Sequence, residues 1–417
     1  MTSSNQQSVV VIGAGIIGVC AALELQKRGY AVTLVESKYP AAEASSGNCG
    51  LLAVGSVVPF SKPGTFKKVP GWLLNTKGPL SIRLGYLPKL MPWIIRFLMA
   101  AKPSRIQEIG EALATLTAQA GDAYQPWLEE AGISDIVKPY ETLVVYETEA
   151  EYQDDLPNLE MERALGYDHE HLTGRQLQEL EPSIAADFAC AVKKKGWYYF
   201  SDPERLVRSL YDLFMRKGGA AITGKVRNLN TDGQRVRAVS VDGGEEVQAD
   251  HIVIAAGAWS RKLAEELGDA VPVEALAGYS TTVTDAGIDV QHPVTYAAGG
   301  FVITPMEGGL RIGGTIEMGG LDSSPNFDRA KVIAEKAKRV FPSLKSIEGE
   351  EWMGYRSFMP DTLPVIDRAS RFPNVYYAFG HGQIGITTGA ITGRLVAQLV
   401  AGEETSIAMK PYSVSRF

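Results

Sequence analysis

Residues 8–36 read SVVVIGAGIIGVCAALELQKRGYAVTLVE, and this stretch decides the fold. It opens with a continuous β-branched run, as expected for a parallel strand that is covered on both faces. Gly13, Gly15 and Gly18 then form GxGxxG directly before an apolar helix, and Glu36 ends the strand that follows. These glycines allow a tight turn, backbone approach to a pyrophosphate and helix–strand packing, while the acid can bond a ribose hydroxyl. The sequence therefore predicts a Rossmann-like α/β domain that binds a dinucleotide.

Two further features bear on which dinucleotide is bound. An acidic residue at position 36 argues against the 2′-phosphate of NADP, which leaves NAD and FAD. Residues 249–260 read ADHIVIAAGAWS, a second buried strand that ends in small residues, and no second GxGxxG for a nicotinamide is present. A single dinucleotide that is contacted by several distant strand ends is the simpler explanation.

The composition limits the class of protein. With 417 residues and 45% hydrophobic content, the chain can bury a large core, and two interleaved domains are expected. The net charge of −7 argues against general nucleic-acid binding. The three cysteines include no CxxC pair, which predicts that there is no disulfide framework. His169 and His171 form an HxH, but no third ligand follows at a suitable spacing, so no metal site is predicted.

The N-terminus lacks the basic region of a signal peptide, and no run reaches the roughly 20 apolar residues of a membrane span. We therefore expect a cytoplasmic protein.

Five segments resemble the superfamily of FAD-dependent amino-acid and amine oxidoreductases that includes D-amino-acid oxidase and glycine oxidase. They are the stretch 8–36, AEASSGNCGLLAVGSVVPFSKPG (42–64), VIAAGAWS (253–260), GYRSFMPDTLPVID (354–367) and AFGHGQIGITTGAITG (378–393). The resemblance is greatest to bacterial D-amino-acid dehydrogenases and their hydroxyproline-dehydrogenase relatives, and it covers almost the whole chain. It implies a Rossmann-like FAD-binding domain that is interleaved with a substrate domain built on an antiparallel sheet.

The resemblance also implies the domain boundaries. The FAD-binding domain is expected to be discontinuous, and the substrate domain to be formed by two segments between its parts. The predicted ranges are 1–60, 190–262 and 350–417 for the first, and 61–189 and 263–349 for the second. The second domain is expected to carry a helical insert near 61–107. The stretch FVITPMEGGLRIGGTIE (301–317) predicts a hairpin of the substrate sheet that turns at Glu307-Gly308-Gly309.

The resemblance implies which residues hold a non-covalent FAD. Residues near the first turn and the second strand would bind the nucleotide, the segment near Ala44 would wrap the pyrophosphate and the flavin face, and the C-terminal turn would meet the flavin's pyrimidine edge. They are Gly13, Gly15, Ile16, Ile17, Gly18, Glu36, Ser37, Ser45, Ser46, Gly47, Asn48, Val226, Ala256, Gly257, Gly382, Gln383, Ile384, Gly385, Ile386 and Thr387. A helix start with free amides suits the negative charge that reduced flavin carries near N1 and C2=O. Cys49 is expected to be an inert small side chain, and Gly389 to serve helix packing.

A carboxylate clamp is the main requirement of amino-acid oxidation, and the arginine fork suits it best. We predict that Arg356 supplies the clamp; the alternative is a structural pair with Asp361 or Asp367. Glycine-oxidase-like relatives carry a clamp arginine just after a proline of the substrate hairpin. Met306 occupies that slot here, which is a departure from the family pattern.

Further polar residues are predicted to complete the substrate site. Tyr279 and Tyr296 would share the clamp through their hydroxyl groups. Arg311 lies nearby but is expected to point away from the flavin. His381 either bonds the substrate or caps the C-terminal helix.

The segment from Ala44 to Gln107 contains nine basic residues and no Asp or Glu. The basic residues are Lys62, Lys67, Lys68, Lys77, Arg83, Lys89, Arg96, Lys102 and Arg105, and the interleaved aromatic residues are Phe60, Phe66, Trp72, Tyr86, Trp93 and Phe97. This pattern is typical of a peripheral contact with anionic lipid. It fits equally a helical lid over the active site, and one segment can serve both roles.

Together these features predict FAD-dependent oxidative deamination of a small amino acid, either a D-amino acid or a D-hydroxyproline-like compound. The substrate would lose hydride to the flavin, and the electrons would pass to a quinone or other carrier at the inner face of the cytoplasmic membrane. One alternative is a peroxide-forming oxidase of glycine-like or sarcosine-like amines. Another is a flavoprotein subunit of a larger amine dehydrogenase.

Overall fold

The computed structural model describes residues 6–62 and 78–417. Within this part of the chain the helices are α1 (Ile16–Lys27), α2 (Leu87–Ala100), α3 (Pro103–Thr117), α4 (Ala120–Ala131), α5 (Glu149–Ala164), α6 (Gly174–Leu180), α7 (Pro203–Arg216), α8 (Ser260–Glu266), α9 (Asp328–Val340) and α10 (Gly385–Ala401). The first strands are β1 (Ser8–Ile12), β2 (Ala31–Glu36), β3 (Leu51–Leu52), β4 (Leu80–Ile82), β5 (Val137–Lys138), β6 (Thr142–Tyr146), β7 (His169–Thr173), β8 (Cys190–Lys194), β9 (Tyr198–Phe200), β10 (Ala220–Thr223) and β11 (Val226–Thr231). The remaining strands are β12 (Val236–Val241), β13 (Glu246–Gln248), β14 (His251–Ile254), β15 (Glu274–Val283), β16 (Val294–Tyr296), β17 (Phe301–Met306), β18 (Gly309–Met318), β19 (Glu350–Phe358), β20 (Val365–Arg368) and β21 (Val375–Phe379).

A six-stranded sheet carries the glycine-rich turn. Its strand order is β10-β2-β1-β14-β21-β20, and its pairs are parallel except that β20 runs antiparallel to β21. In β1, Val9 and Val11 belong to the core that contains α1 and α10, while Val10 and Ile12 belong to a second core with β12 and α8. Both faces of β1 are therefore buried, which explains its continuous β-branched run. The predicted α/β fold class is confirmed.

Helices α1 and α10 pack at very short range because glycines replace side chains at their contact. A Cβ added to Gly389 would lie 2.7 Å from Ile16 Cγ1, and one added to Gly393 would lie 2.6 Å from the Cys20 carbonyl carbon. The expectation that Gly389 serves helix packing is confirmed. This contact fixes the start of α10 relative to the start of α1.

A larger, nine-stranded sheet has the order β19-β15-β18-β17-β16-β6-β8-β7, and β4 pairs with β18. Its pairs are antiparallel except β6 with β16 and β4 with β18. The β17–β18 hairpin turns at Glu307 and Gly308, where Met306 pairs with Gly309, close to the predicted turn. Strands β8 and β19, which start at the predicted boundaries 190 and 350, pair within this sheet rather than within the six-stranded one. The division into two domains stays a prediction, and sheet membership would place β8 and β19 with the substrate part.

Helix α2 carries large apolar side chains on both its buried and its exposed face. Leu90, Trp93 and Phe97 are buried against Phe358 and its neighbours. The opposite face and the preceding turn leave large apolar side chains exposed, namely Leu84 (84%), Met91, Ile95 (51%), Leu98 and Met99. Among the predicted basic and aromatic positions, Phe66, Lys67, Lys68, Trp72 and Lys77 lie outside the described residues. No helix within the described ranges combines the length and the apolar character that a membrane crossing requires.

Candidate active site

A cavity of about 1810 Å³ lies where the carboxyl ends of β1, β2, β14 and β21 meet strands β15, β18 and β19. Crevices at the carboxyl ends of parallel strands are where α/β proteins bind dinucleotides. Ordinary small-molecule pockets measure roughly 300–1,000 Å³. This cavity therefore has room for a dinucleotide and a second small molecule.

Most of the residues predicted to bind FAD line this cavity. They are Gly13, Gly15, Ile16, Ile17, Glu36, Ser37, Ser45, Gly47, Asn48, Val226, Ala256, Gly257, Gly382, Gln383, Ile384, Gly385 and Ile386. Gly18, Ser46 and Thr387 do not line it. Residues from five distant parts of the sequence are thus brought to one surface.

The glycine-rich turn has the geometry that its motif requires. Gly13 has φ of +105°, and a Cβ there would lie 2.6 Å from the Ala255 carbonyl oxygen, so only glycine fits. A Cβ on Gly18 would lie 1.8 Å from the Gly13 carbonyl oxygen, which explains why Gly18 packs inside the turn and does not reach the cavity. Glu36 Oε2 accepts a hydrogen bond from the Ala14 N–H (2.8 Å), which fixes the acid beside the turn.

The segment after Ala44 is held by its own side chains. Asn48 Nδ2 donates to the carbonyls of Ala44 (3.2 Å) and Ser45 (3.1 Å), and Asn48 Oδ1 accepts from the Gly50 N–H (2.9 Å). Ser46 Oγ donates to the Glu43 carbonyl (3.2 Å), so its hydroxyl serves the loop and not the cavity. These internal hydrogen bonds hold the segment as a wall of the cavity.

Arg311 and Trp352 support this wall from the nine-stranded sheet. Arg311 Nη1 donates to the carbonyls of Ser46 (3.0 Å) and Asn48 (2.9 Å). A Cβ on Gly47 would lie 2.0 Å from Trp352, so the indole covers that glycine directly. The expectation that Arg311 points away from the flavin stays a prediction, and its function in holding the loop was not predicted.

The start of α10 presents backbone amides to the cavity. Gly380 and Gly382 have positive φ (+85° and +55°), and the Gly382 N–H donates to the Ser357 carbonyl (2.7 Å), which shapes the turn. No side chain caps α10, so the N–H groups of Gly385 and Ile386, which line the cavity, lack an acceptor within the helix. Thr387 Oγ1 instead bonds the Leu51 carbonyl and the Ala53 N–H, both at 3.1 Å.

These features fit FAD. The starts of α1 and α10 both face one cavity, and glycines open the backbone where a flat or anionic group would approach. No side chain caps α10, while the Ile16 N–H at the start of α1 donates to Ser45 Oγ (3.1 Å). The start of α1 would hold the pyrophosphate and the start of α10 the pyrimidine edge of the flavin. Burial raises the pKa of the Cys49 thiol, which favours its protonated form.

Arg356 lies in the cavity wall on β19 without an acidic partner. Its Nη1 donates to the Thr315 carbonyl (3.0 Å), and no carboxylate within residues 6–62 and 78–417 pairs with it. Asp361 pairs with Arg416 (2.8 Å), and Asp367 accepts from Ser413 Oγ (2.6 Å). Both predicted structural partners are therefore engaged elsewhere. Burial lowers the pKa of Arg356, because its charge is desolvated without a counter-ion.

The guanidinium of Arg356 lies against the backbone of Gly278 on β15. A Cβ on Gly278 would lie 2.3 Å from Arg356 Nη1 and 2.4 Å from Cζ, so glycine here leaves room for the guanidinium in this position. Gly278 was not predicted from the sequence, although a glycine inside a strand is a signal of close approach. Thr315 was not predicted either, because the sequence carries no signal for it.

The two predicted tyrosines have hydroxyl groups that are already engaged. Tyr279 Oη donates to Glu317 Oε2 (2.5 Å) and accepts from the Asn326 N–H (3.0 Å), and burial raises the pKa of Tyr279 to about 12. Tyr296 Oη donates to Glu147 Oε1 (2.6 Å). Both rings line the cavity, but these bonds favour structural functions and not the predicted share in the clamp.

His381 lies beside the start of α10 with its side chain buried. Its Nε2 and Thr392 Oγ1 are 3.0 Å apart, and burial lowers the pKa of His381 to about 3. The ring is therefore neutral and ties the turn to the third turn of α10. Of the two predicted functions, this contact favours support of the helix over substrate binding.

Outside the cavity, His171 lies near two other possible metal ligands that are distant from it in the sequence. Ligand atoms of Glu149, His171 and Cys190 all lie within 4.8 Å of one another. Three such atoms are fewer than the four ligands of a structural zinc site, and burial raises the pKa of the Cys190 thiol to about 11. The prediction that the protein has no metal site stays a prediction.

Comparisons with known proteins agree with this geometry. The sequence model of the DAO family, described as FAD dependent oxidoreductase, matches residues 8–399. A D-amino-acid oxidase of Bradyrhizobium diazoefficiens is 33% identical over 416 residues, which are 98% of each chain. A D-amino acid dehydrogenase of Vibrio vulnificus is 29% identical over 412 residues, which cover 95% of this chain and 96% of the relative.

Solved structures show the same fold. Glycine oxidase from Geobacillus kaustophilus matches with a TM-score of 0.77 at 23% identity, over 99% of this chain and 100% of its own. The resemblance inferred from five sequence segments is therefore confirmed, as are the enzyme class and the dependence on FAD. The chain belongs to the DAO family of FAD-dependent oxidoreductases.

Proposed function

We propose that this enzyme oxidises the amine of a small amino acid, with D-amino acids as the preferred class. The observation that supports this most directly is Arg356, a cation in the cavity wall that has no acidic partner in the described chain. Burying an unpaired charge costs free energy, and a bound carboxylate would offset that cost. The names of the two relatives, a D-amino-acid oxidase and a D-amino acid dehydrogenase, support the choice of handedness.

In the proposed reaction Arg356 binds and orients the substrate carboxylate. One guanidinium nitrogen is held by the Thr315 carbonyl, which leaves the remaining donors for a bidentate contact. FAD, when bound, supplies the acceptor for the two electrons and the hydrogen of the Cα–H bond. The substrate nitrogen loses a proton to water, and hydrolysis of the resulting imino acid gives a keto acid, with release of ammonia when the amine is primary. The chain contributes binding and orientation.

Arg356→Met tests this assignment, because methionine keeps much of the volume and removes the charge. We expect kcat/KM for the best amino-acid substrate to fall by about 100-fold or more, since a charge-assisted pair is lost. FAD content should hold, because Arg356 is not among the residues predicted to bind FAD. Arg416→Met is the control, because Arg416 also donates to a backbone carbonyl but pairs with Asp361 and lies outside the cavity. Unchanged turnover in Arg356→Met would remove Arg356 from the substrate site.

For the electron acceptor we infer a membrane carrier such as a quinone. The support is the outer face of α2 with its preceding turn, which we call the α2 outer face: Leu84, Met91, Ile95, Leu98 and Met99. These exposed apolar side chains stand among Lys89, Arg96 and Lys102, which are also exposed. Apolar residues with basic neighbours and no acids fit the interface of an anionic bilayer. The inner face of α2 lines the cavity through Trp93 and Phe97, so the same helix would join the two sites.

Vesicle binding tests this inference. The purified enzyme should co-sediment with vesicles containing anionic lipid and reduce a quinone faster than it reduces oxygen. Ile95→Ser with Met99→Ser should weaken sedimentation and spare turnover with a soluble dye. Met215→Ser is the control, because Met215 is similarly exposed but lies on α7. Rapid peroxide formation without vesicle binding would favour the alternative, an oxidase in which α2 is only a lid.

A further inference from the structure

Thr315 has a strained backbone in the wall of the active-site cavity. Its φ is +56°, which β-branched residues rarely adopt. It lies on β18 beside a register shift, where Ala277 of β15 pairs with Glu317 but Tyr279 pairs with Gly314. Strain of this kind persists only where surrounding contacts impose it, and it concentrates at functional sites.

The strained backbone directs one carbonyl towards Arg356. The Thr315 carbonyl accepts from Arg356 Nη1 at 3.0 Å, the hydrogen bond that orients this guanidinium. With a relaxed backbone at Thr315, the carbonyl would turn and this bond would be lost. The orientation of Arg356 therefore depends on the conformation of Thr315.

A second arginine holds Thr315 from behind. Arg329 Nη2 donates to Thr315 Oγ1 and to the carbonyls of Gly78 (3.0 Å) and Ile316 (3.3 Å). Arg329 is only 6% exposed, and no carboxylate within the described ranges pairs with it. Burial accordingly lowers the pKa of Arg329. Glu317 lies near enough to stabilise the charge of Arg329 without forming a salt bridge with it. Because buried arginines can often be replaced by apolar residues without loss of stability, the hydrogen bonds of Arg329 point to a function other than packing.

We propose that Arg329 is a positioning residue for substrate recognition. It holds Thr315 in its strained conformation, and the Thr315 carbonyl in turn orients Arg356 towards the substrate carboxylate. Arg329 does not line the active-site cavity, so it acts without touching the substrate. This inference rests on the proposed function and extends it. Binding of the substrate carboxylate would then depend on Arg356, which contacts it, and on Arg329, which fixes the orientation of Arg356 through Thr315.

The test combines Arg329→Met with Thr315→Gly. In the single variant Arg329→Met we expect KM for D-alanine and D-proline to rise about 10-fold, with kcat changing by less than about 2-fold, since binding and not chemistry is affected. Adding Thr315→Gly should restore KM to within about 3-fold of the wild type, because glycine adopts positive φ without strain. Arg416→Met should leave KM unchanged. An unchanged KM in Arg329→Met, or a double variant that is no better than the single one, would overturn the proposal.

A thermal unfolding cycle separates this inference from the proposed function. Arg329→Met should lower Tm by less in the Thr315→Gly background than in the wild type, because the strained residue that Arg329 holds is gone. Additive Tm changes would refute the link between Arg329 and Thr315, whatever the substrate is. If the wild type oxidises neither amino acid while the Tm changes are non-additive, the proposed function fails and the structural link stands.

Discussion

Replacing Gly278 with alanine should displace the substrate clamp without removing its charge. The added Cβ would lie 2.3 Å from Arg356 Nη1 and 2.4 Å from Cζ, whereas ordinary contacts begin near 3.4 Å. The guanidinium must therefore move by about 1 Å. A displacement of about 1 Å at a catalytic contact typically costs on the order of 100-fold in rate. Overpacking of this kind lowers stability by about 1–3 kcal/mol, so Tm is measured beside the kinetics.

The assay for Gly278→Ala is steady-state kinetics with the best amino-acid substrate, together with FAD content and Tm. We expect kcat/KM to fall by about 100-fold while the bound FAD stays at the wild-type level. Gly121→Ala is the matched control, because nothing lies within 4 Å of a Cβ at that exposed helical position. Wild-type kcat/KM in a folded Gly278→Ala protein would refute the placement of Arg356 against the substrate.

Three other predictions concern the cofactor site and pH. Gly15→Val should yield protein without FAD, since its Cβ already approaches Ser45 Oγ to 3.1 Å and further methyl groups would fill the turn; absorbance of the purified protein measures this. Arg311→Met should weaken FAD binding about 10-fold or more in a fluorescence titration, because two carbonyls of the loop lose their donor. Burial lowers the pKa of His381 to about 3 in the folded protein, from 6.5 in the unfolded chain. Between these two pH values the unfolded chain binds more protons than the folded one, so the free energy of unfolding falls as pH falls through this range. His381→Gln should flatten that part of the curve of unfolding free energy against pH, and an unchanged slope would mean that His381 titrates normally.

Local patterns made the fold predictable. The β-branched run, GxGxxG and the acid at position 36 are patterns within 30 consecutive residues. They predicted β1, α1 and β2 without any knowledge of distant contacts. The turn before α10 was predictable for the same reason. In the part that the structure describes, most residues proposed for the cofactor reach one cavity.

Contacts between distant segments were not predictable. The hydroxyl of Tyr279 is engaged by Glu317 and Asn326, and the ring of His381 by Thr392, because strand register and helix position bring these partners together. The strained backbone at Thr315 lies beside a register shift between β15 and β18, and the sequence contains no pattern that predicts this shift. For the same reason the boundaries at 190 and 350 fall on strands that pair within the nine-stranded sheet.

Anaerobic mixing of the enzyme with single amino acids tests the central claim most directly. The flavin absorbance reports its reduction without any external acceptor, so the result does not depend on whether oxygen or a quinone follows. The panel should pair the D- and L-forms of alanine, proline and 4-hydroxyproline, with glycine and sarcosine added. We expect at least one D-amino acid to bleach the flavin within seconds, its L-form to be much slower, and Arg356→Met to abolish the difference. A flavin that dithionite reduces but no amino acid reduces would contradict the proposed function.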